Sequence, residues 1–277
     1  MVSSISSSGI SAQTLKLLGI NSKQLNQNIA ALASGNRLTS ASTDVAALSV
    51  ATGMQSEVSS LRTASQNINE ASSLMQVADG GLSQTSLMLD RMRAIATQAN
   101  NGSLSQAARE GLNTEFQSLA KEIDRVASTT QFSGVKLLDG SLSGDDAASF
   151  QVGSSTEDSV KLAIGDVSTS SIFSGGTPNV LTAESSAQAL SSVRSAMDYV
   201  TTQRANLGSS QEALAYTGAN VDVAIQNQEA ARSTLADTDF LGTSTENAIL
   251  EVKNKAGIAT LAQGNRMSSN LLRLVGG

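Results

Sequence analysis

Cysteine, histidine and tryptophan are absent from this chain, proline occurs once, and only 3% of the residues are aromatic. Without cysteine no disulfide framework is possible, and without thiolate or imidazole the usual zinc and copper sites cannot be built. Without histidine no Ser-His or Cys-His nucleophile can be assembled. No constellation of titratable groups points to an enzyme, and no cofactor site is read from the residues. With so few aromatics a thick globular core is hard to fill. No apolar run approaches the ~18–20 residues of a membrane span, so insertion into a membrane is not expected. A dense Lys/Arg patch is also missing, which argues against nucleic-acid binding.

What remains is a chain of 277 residues, 40% hydrophobic and 15% charged, with a net charge of -6. The hydrophobic residues are mostly Ala, Val, Leu and Ile, which suit thin cores between helices. The charge is unevenly spread. Residues 1–43 carry Lys16, Lys23 and Arg37 and no acid, for +3, and residues 244–277 carry +2, which leaves -11 for the middle. Basic ends and an acidic middle imply different surroundings. The start, MVSSISSSGI, lacks the charged and long apolar regions of a secretory signal. The expectation is a cytoplasmic protein or one that leaves the cell by a route without a cleaved signal.

Periodicity organises the chain. Leu15, Leu18, Ser22, Leu25, Ile29 and Leu32 alternate at spacings of three and four and predict a helix ending at Ser34-Gly35-Asn36. Residues 36–43 read as a linker, with Thr43 or Asp44 as the next cap. Met54, Leu61, Ile68, Met75, Leu82 and Leu89 then fall every seven residues and predict a helix from about 44 to 100, weakened only at Gly80-Gly81. A shorter helix is expected over about 105–129, with Leu112, Phe116, Leu119, Ile123 and Val126 as its stripe. Residues 131–140 hold two glycine turn signals. ASFQVGSS and DSVKLAIGDV alternate and predict a β-hairpin around Gly153–Asp158. Residues 165–181 are rich in Ser, Gly and Thr and read as loop. Val193, Val200, Leu207, Leu214 and Val221 restore the seven-residue period in a helix from about 183 to 235. Residues 236–243 break it, and a last helix is expected over about 244–273, with a weaker stripe through Ile249, Val252, Ala256 and Ala259.

The helix lengths form a palindrome. The fold class is therefore mainly α: an elongated rod of long coiled-coil-like helices, with paired N- and C-terminal helices and small β-hairpins in the middle of the chain. Residues 1–43 and 244–277 form the two halves of an inner terminal domain. Residues 44–180 and 181–243 form the two parts of a core domain. The two long stripes can pack on each other. The terminal stripes are thin, and a helix such as 5–34 is marginal alone in water. Leu15, Leu18, Leu25, Ile29, Leu32, Ile249 and Val252 are therefore read as assembly residues, on helices that order when a partner covers them. Arg91 and Ile95 lie off the Leu82/Leu89 seam and suggest a second packing surface, for the 105–129 helix or a neighbouring subunit. The carboxylates Asp145-Asp146, Glu157-Asp158 and Asp237/Asp239 match no metal loop and read as turn and cap residues.

Four segments in order resemble the bacterial flagellins: LASGNRLTSASTDVAALSVATGMQSEVSSL near the start, KEIDRVASTTQFSGVKLLDG at 121–140, ARSTLADTDF at 231–240 and NLLRLV at 270–275. FQVGSSTEDSV at 150–160 resembles the hairpin that often follows the second of these. The likeness spans nearly the whole chain, in a minimal form that lacks the family's large variable outer region. It implies a structural subunit that self-assembles into the flagellar filament and is exported unfolded by the flagellar type III apparatus. It implies an extracellular filament location, and as partners the export chaperone, the filament cap and the hook-junction proteins. In that reading Gln263, Asn265, Arg266, Asn270 and Arg273 line the export channel, and Gly134 and Gly140 sit in the candidate switch for filament shape. Arg91, Ile95 and Glu115 match positions read by the vertebrate Toll-like flagellin receptor, although strongly recognised members have Leu at the place of Ile95 and an acid at the place of Ala94. The nearest alternative is a hook–filament junction protein with similar ends. A helical translocon would need a hairpin apolar enough to enter lipid, and an enzyme would need a cleft with perturbed carboxylates.

Overall fold

The structure is a computed structural model that describes residues 2–40, 42 and 44–275, with side chains over 12–270 apart from 41, 43, 145 and 268. Its helices are α1 (Val2–Ser34), α2 (Val45–Ala99), α3 (Gln106–Thr129), α4 (Thr169–Ile172), α5 (Ala183–Ala236) and α6 (Phe240–Val275). Between α3 and α4 lie two antiparallel hairpins, β1 (Gln131–Phe132) with β2 (Val135–Lys136), and β3 (Ala148–Gln151) with β4 (Ser159–Leu162). The opening helices have 33 and 55 residues and the closing pair 54 and 36, so the palindrome is real. Among the described residues no helix is long and apolar enough to cross a membrane.

Local chemistry sets the boundaries. Gly35 takes φ 70° and ends α1. The Asp44 carboxylate accepts from the Ala47 amide at 2.9 Å and caps α2. Thr43, the other candidate, lies outside the described residues. Ser105 caps α3 by accepting from Ala108. Asp239 accepts from the Gly242 amide at 3.1 Å, so α6 starts at Phe240 rather than near 244. Its neighbour Asp237 accepts from the Ser233 hydroxyl at 2.6 Å. Asp158 accepts from the Ser155 amide at 3.0 Å in the β3–β4 turn.

The chain divides into two compact units, Glu57–Gln226 and the pair Met1–Ser56 with Asn227–Gly277. These divisions fall inside α2 and α5. In the unit Glu57–Gln226, the stripe Leu61, Ile68, Met75, Leu82 and Leu89 is buried, and so is Val193, Val200, Leu207, Leu214 and Val221. Both belong to one core, as their period predicts. A second stripe on α2, Ala71, Ala78, Thr85, Met92 and Ala99, is also buried, and Phe116, Ala120, Ile123 and Ala127 of α3 join the same core. Thr85 satisfies its hydroxyl on the Gly81 carbonyl. Arg204 of α5 meets Asp79 of α2 at 2.8 Å, and that hydrogen bond holds the guanidinium above its ordinary value.

Two features escape composition. Residues 165–181 are mostly loop, as expected, but a packed loop interrupted by the short helix α4. Val167, Ile172, Phe173 and Val180 are buried. Polar side chains of α3 satisfy the backbone around them: Asp124 accepts from the Thr169 amide and hydroxyl at 2.8 and 2.9 Å, Asn113 from the Val180 amide, and Gln117 donates to the Pro178 carbonyl. The second feature is Gly81. A Cβ there would lie 2.5 Å from Leu138 and 3.0 Å from Thr130. Leu138 is fully buried against this notch, so the glycine that costs α2 about 1 kcal/mol of helix propensity admits the segment after β2.

Candidate assembly surface on the terminal helices

The unit formed by the chain ends is held by α1 and α6 running antiparallel. At one end their linkers are stitched together. Thr238 donates its amide to the Gly35 carbonyl at 3.0 Å, and Arg37 donates its amide to Ala236 at 2.7 Å and its guanidinium to Leu235 at 2.8 Å. Leu38, Ala51 and Ala236 are buried beside this clasp. Further along, Asn28 donates to the Glu246 carboxylate at 3.2 Å and accepts from Gln24. A Cβ on Gly257 would lie 3.0 Å from Leu18, which marks the closest approach.

The covered positions follow coiled-coil spacing. On α1 this spacing takes in Thr14, Leu18, Asn21, Leu25, Asn28 and Leu32, with Gln27 and Ala31 covered beside them, and on α6 Thr243, Asn247, Leu250, Asn254, Gly257 and Leu261, with Gly264 beside them. Of these only Asn28, Ala31 and Leu250 fall below one-tenth exposure, at 7%, 8% and 6%. The seam is narrow and rich in amides. Buried in it, the side-chain oxygens of Asn247 and Asn254 have no hydrogen-bond partner. Outside the seam, Leu15, Leu17, Ile20 and Ile29 of α1 and Leu241, Ile249, Val252 and Ile258 of α6 are exposed, Leu241 at 78%. So many bare aliphatics on one pair of helices mark a surface made to be covered.

Two family profiles match this chain. One, for the bacterial flagellin N-terminal helical region, matches residues 5–143, and the other, for the C-terminal helical region, matches residues 190–275. The chain belongs to the bacterial flagellin family. It is 33% identical to a flagellin of Halalkalibacterium halodurans, over 93% of this chain and 94% of that one. It is 30% identical to a flagellar filament 30.7 kDa core protein of Treponema maltophilum, over 94% and 95%. Among solved structures, a crystal structure of Bacillus cereus flagellin is similar at 28% identity and a TM-score of 0.51, covering 56% of this chain and 88% of that one. A structure assigned as a flagellar hook-associated protein from Vibrio parahaemolyticus shares the fold at a TM-score of 0.60 and 17% identity, covering 70% of this chain and 100% of that one.

In this flagellin-family chain the residues singled out from sequence divide into groups. Leu18, Leu25 and Leu32 line the α1–α6 seam, whereas Leu15, Ile29, Ile249 and Val252 are exposed. The expected α6 stripe is therefore not the face that meets α1. Ala256 and Ala259 are exposed with Ile249 and Val252. The contacting face is made of Asn, Gly and Leu, because a small residue at Gly257 lets Leu18 approach. Gln263, Asn265, Arg266 and Asn270 are exposed on α6, and the Arg273 side chain lies outside the described residues. Gly134 takes φ 85° at the β1–β2 turn with open space around it, while Gly140 takes φ 88° with the Asp166 side chain 3.0 Å from a built Cβ.

The three candidate receptor contacts do not form one surface. Arg91 and Glu115 pair at 2.6 Å in an exposed bridge between α2 and α3. Ile95 is 1% exposed. Its packing surface is the core shared with α3, so its side chain cannot meet a receptor, and that expectation is corrected. It is one turn from Arg91, but α2 is covered here on two sides rather than one. Asn21, Asn28, Asn247 and Asn254 were not read as site residues, although their alternation with leucine at three- and four-residue spacing is visible. Ile95→Ala should lower unfolding stability by about 2–5 kcal/mol, the range for a fully buried isoleucine. Arg91→Ala, at an exposed bridge, should change it by about 1 kcal/mol or less. Chemical denaturation of both variants checks the pair, and equal small losses would contradict the placement of Ile95.

Proposed function

We propose that this chain is the structural subunit of a bacterial flagellar filament, a helical homopolymer of this one protein that serves motility outside the cell. Family membership supports the filament, and the exposed aliphatics of α1 and α6 are the observation that carries the mechanism. Each leucine or isoleucine covered by a neighbouring subunit contributes roughly 1.5–3 kcal/mol. The entropy of ordering two long helices offsets much of that. The terminal helices are thus loosely paired in the free subunit and become ordered when copies stack. Leu15, Ile29, Ile249 and Val252 are the assembly residues that face other copies, and Leu18, Leu25 and Leu32 hold the pair together. The role is structural rather than catalytic.

The finer parts of the reading follow from the family. The chain leaves the cell unfolded through the flagellar type III apparatus, with an export chaperone, a filament cap and hook-junction proteins as partners. The exposed polar residues Gln263, Asn265, Arg266 and Asn270 suit a channel wall that offers passing chains no apolar patch. Of the receptor-facing positions, Arg91 and Glu115 are the ones a partner can reach. A hook–filament junction role is the weaker reading, because likeness to the hook-associated structure is one of fold alone, while the relatives matched along most of their length are named flagellins and filament core proteins.

Seeded growth tests the assembly face. Ile249→Asp with Val252→Asp places two carboxylates where apolar contact is needed, and seeds should fail to elongate even at roughly tenfold the concentration that suffices for the parent chain. Parent-like elongation would contradict the assignment. The candidate switch has its own test in filament shape. Gly134→Ala strains a left-handed turn in open space, whereas Gly140→Ala also presses on Asp166. Both variants should still polymerise but with altered supercoil by electron microscopy, the second more strongly. Parent supercoiling in both would remove 131–140 as the switch.

A further inference from the structure

The α1–α6 seam alternates leucine with asparagine, and its register is readable from two contacts. Leu18 lies against Gly257, and Asn28 reaches Glu246. Stepping along the antiparallel pair from Leu18/Gly257 sets Asn21 opposite Asn254, Leu25 opposite Leu250, Asn28 opposite Asn247 and Leu32 opposite Thr243. Amide therefore faces amide in two layers, one heptad apart, with a leucine layer between them. These layers are not optimised for stability. The Asn247 and Asn254 oxygens are buried and unpartnered, and a half-satisfied polar layer is weaker than an apolar one.

We infer that the paired layers Asn28/Asn247 and Asn21/Asn254 are specificity determinants, which fix the register of α1 on α6 at the expense of the strength of the pairing. This goes beyond the filament reading, because the pairing lies within one chain. The alternatives are arithmetical. A slip of three or four residues would set Asn28 against Leu250, Leu25 against Asn254 and Leu32 against Asn247. A slip of one heptad in the same direction keeps one amide layer, Asn28/Asn254, but drives Asn21 onto Leu261. Every such slip buries an amide against an apolar side chain and carries Asn28 out of reach of Glu246. An all-leucine seam would tolerate these registers almost equally, which is the known use of a polar core position in coiled coils. The backbone clasp at Gly35 and Thr238 also anchors one end, and the competing account is that the clasp alone sets the register.

The absence of cysteine makes the test clean. Two full-length variants are prepared, Leu25→Cys with Leu250→Cys for the observed register and Leu32→Cys with Leu250→Cys for the heptad slip. Each is also made in a background carrying Asn21→Leu, Asn28→Leu, Asn247→Leu and Asn254→Leu. Mild oxidation traps whatever pairings the chain visits, and the yield of intramolecular bridge is read by non-reducing electrophoresis. In the parent background the in-register bridge should exceed the slipped one by about tenfold or more, and in the four-leucine background the two should come within about twofold. Similar yields in the parent background would overturn the register itself. An unchanged preference in the four-leucine background would overturn the role of the asparagines and leave the clasp as the determinant. Circular dichroism of both backgrounds confirms that α2 and α5 remain folded, so a loss of preference cannot come from global unfolding.

Discussion

The pairing of the chain ends depends on a seam that is only half apolar. Along α1 and α6 every leucine that could lock the chain ends together is followed by an asparagine or answered by a glycine or threonine. Such a seam gives direction and register but little free energy. The aliphatics that could strengthen it, Ile29, Ile249 and Val252 among them, lie outside it and are exposed. The weakness of the internal pairing and the stickiness of the outer faces are thus one design. A strong intramolecular pair would compete with polymerisation, and a pair with no register could order in the wrong arrangement.

The unit Glu57–Gln226 follows the opposite rule. Its heptads are apolar apart from Thr85, its buried threonines bond to the preceding turn (Thr85) and to Asp124 (Thr169), and its irregular segment is satisfied by side chains such as Asp124 and Asn113. Gly81 admits Leu138, and the type of turn at Ser133-Gly134 follows from two positive φ angles. This unit has its own reasons to fold before any partner arrives. Its surface carries exposed bridges such as Arg91–Glu115, which add little to stability.

Much of this was legible in the sequence because period survives without context. Heptads gave the helices and their lengths, and Asp44 and the 153–158 turn signals gave boundaries. What misled was the assumption that the apolar face is the buried face. It holds for Leu82 and Val200, where aliphatic side chains are the only candidates for a core. On α6 it does not apply: Asn247, Leu250, Asn254 and Gly257 meet α1, and Ile249 and Val252, read as assembly residues, stay exposed. It fails at 165–181, where abundant Ser and Gly hid Ile172 and Phe173. Ile95 carries two expectations: its place off the seam points to a second packing surface, which its burial with α3 bears out, and the receptor contact is ruled out by that same burial.

Amide hydrogen exchange on the free subunit and on the filament tests the central claim directly. The account predicts that in the free subunit the amides of 12–34 and 240–265 exchange through low-energy local opening, while those of 61–96 are protected to near the global limit. In the filament both sets should be protected. Equal protection of the two sets in the free subunit would contradict it, since α1 and α6 would then be stably paired before assembly.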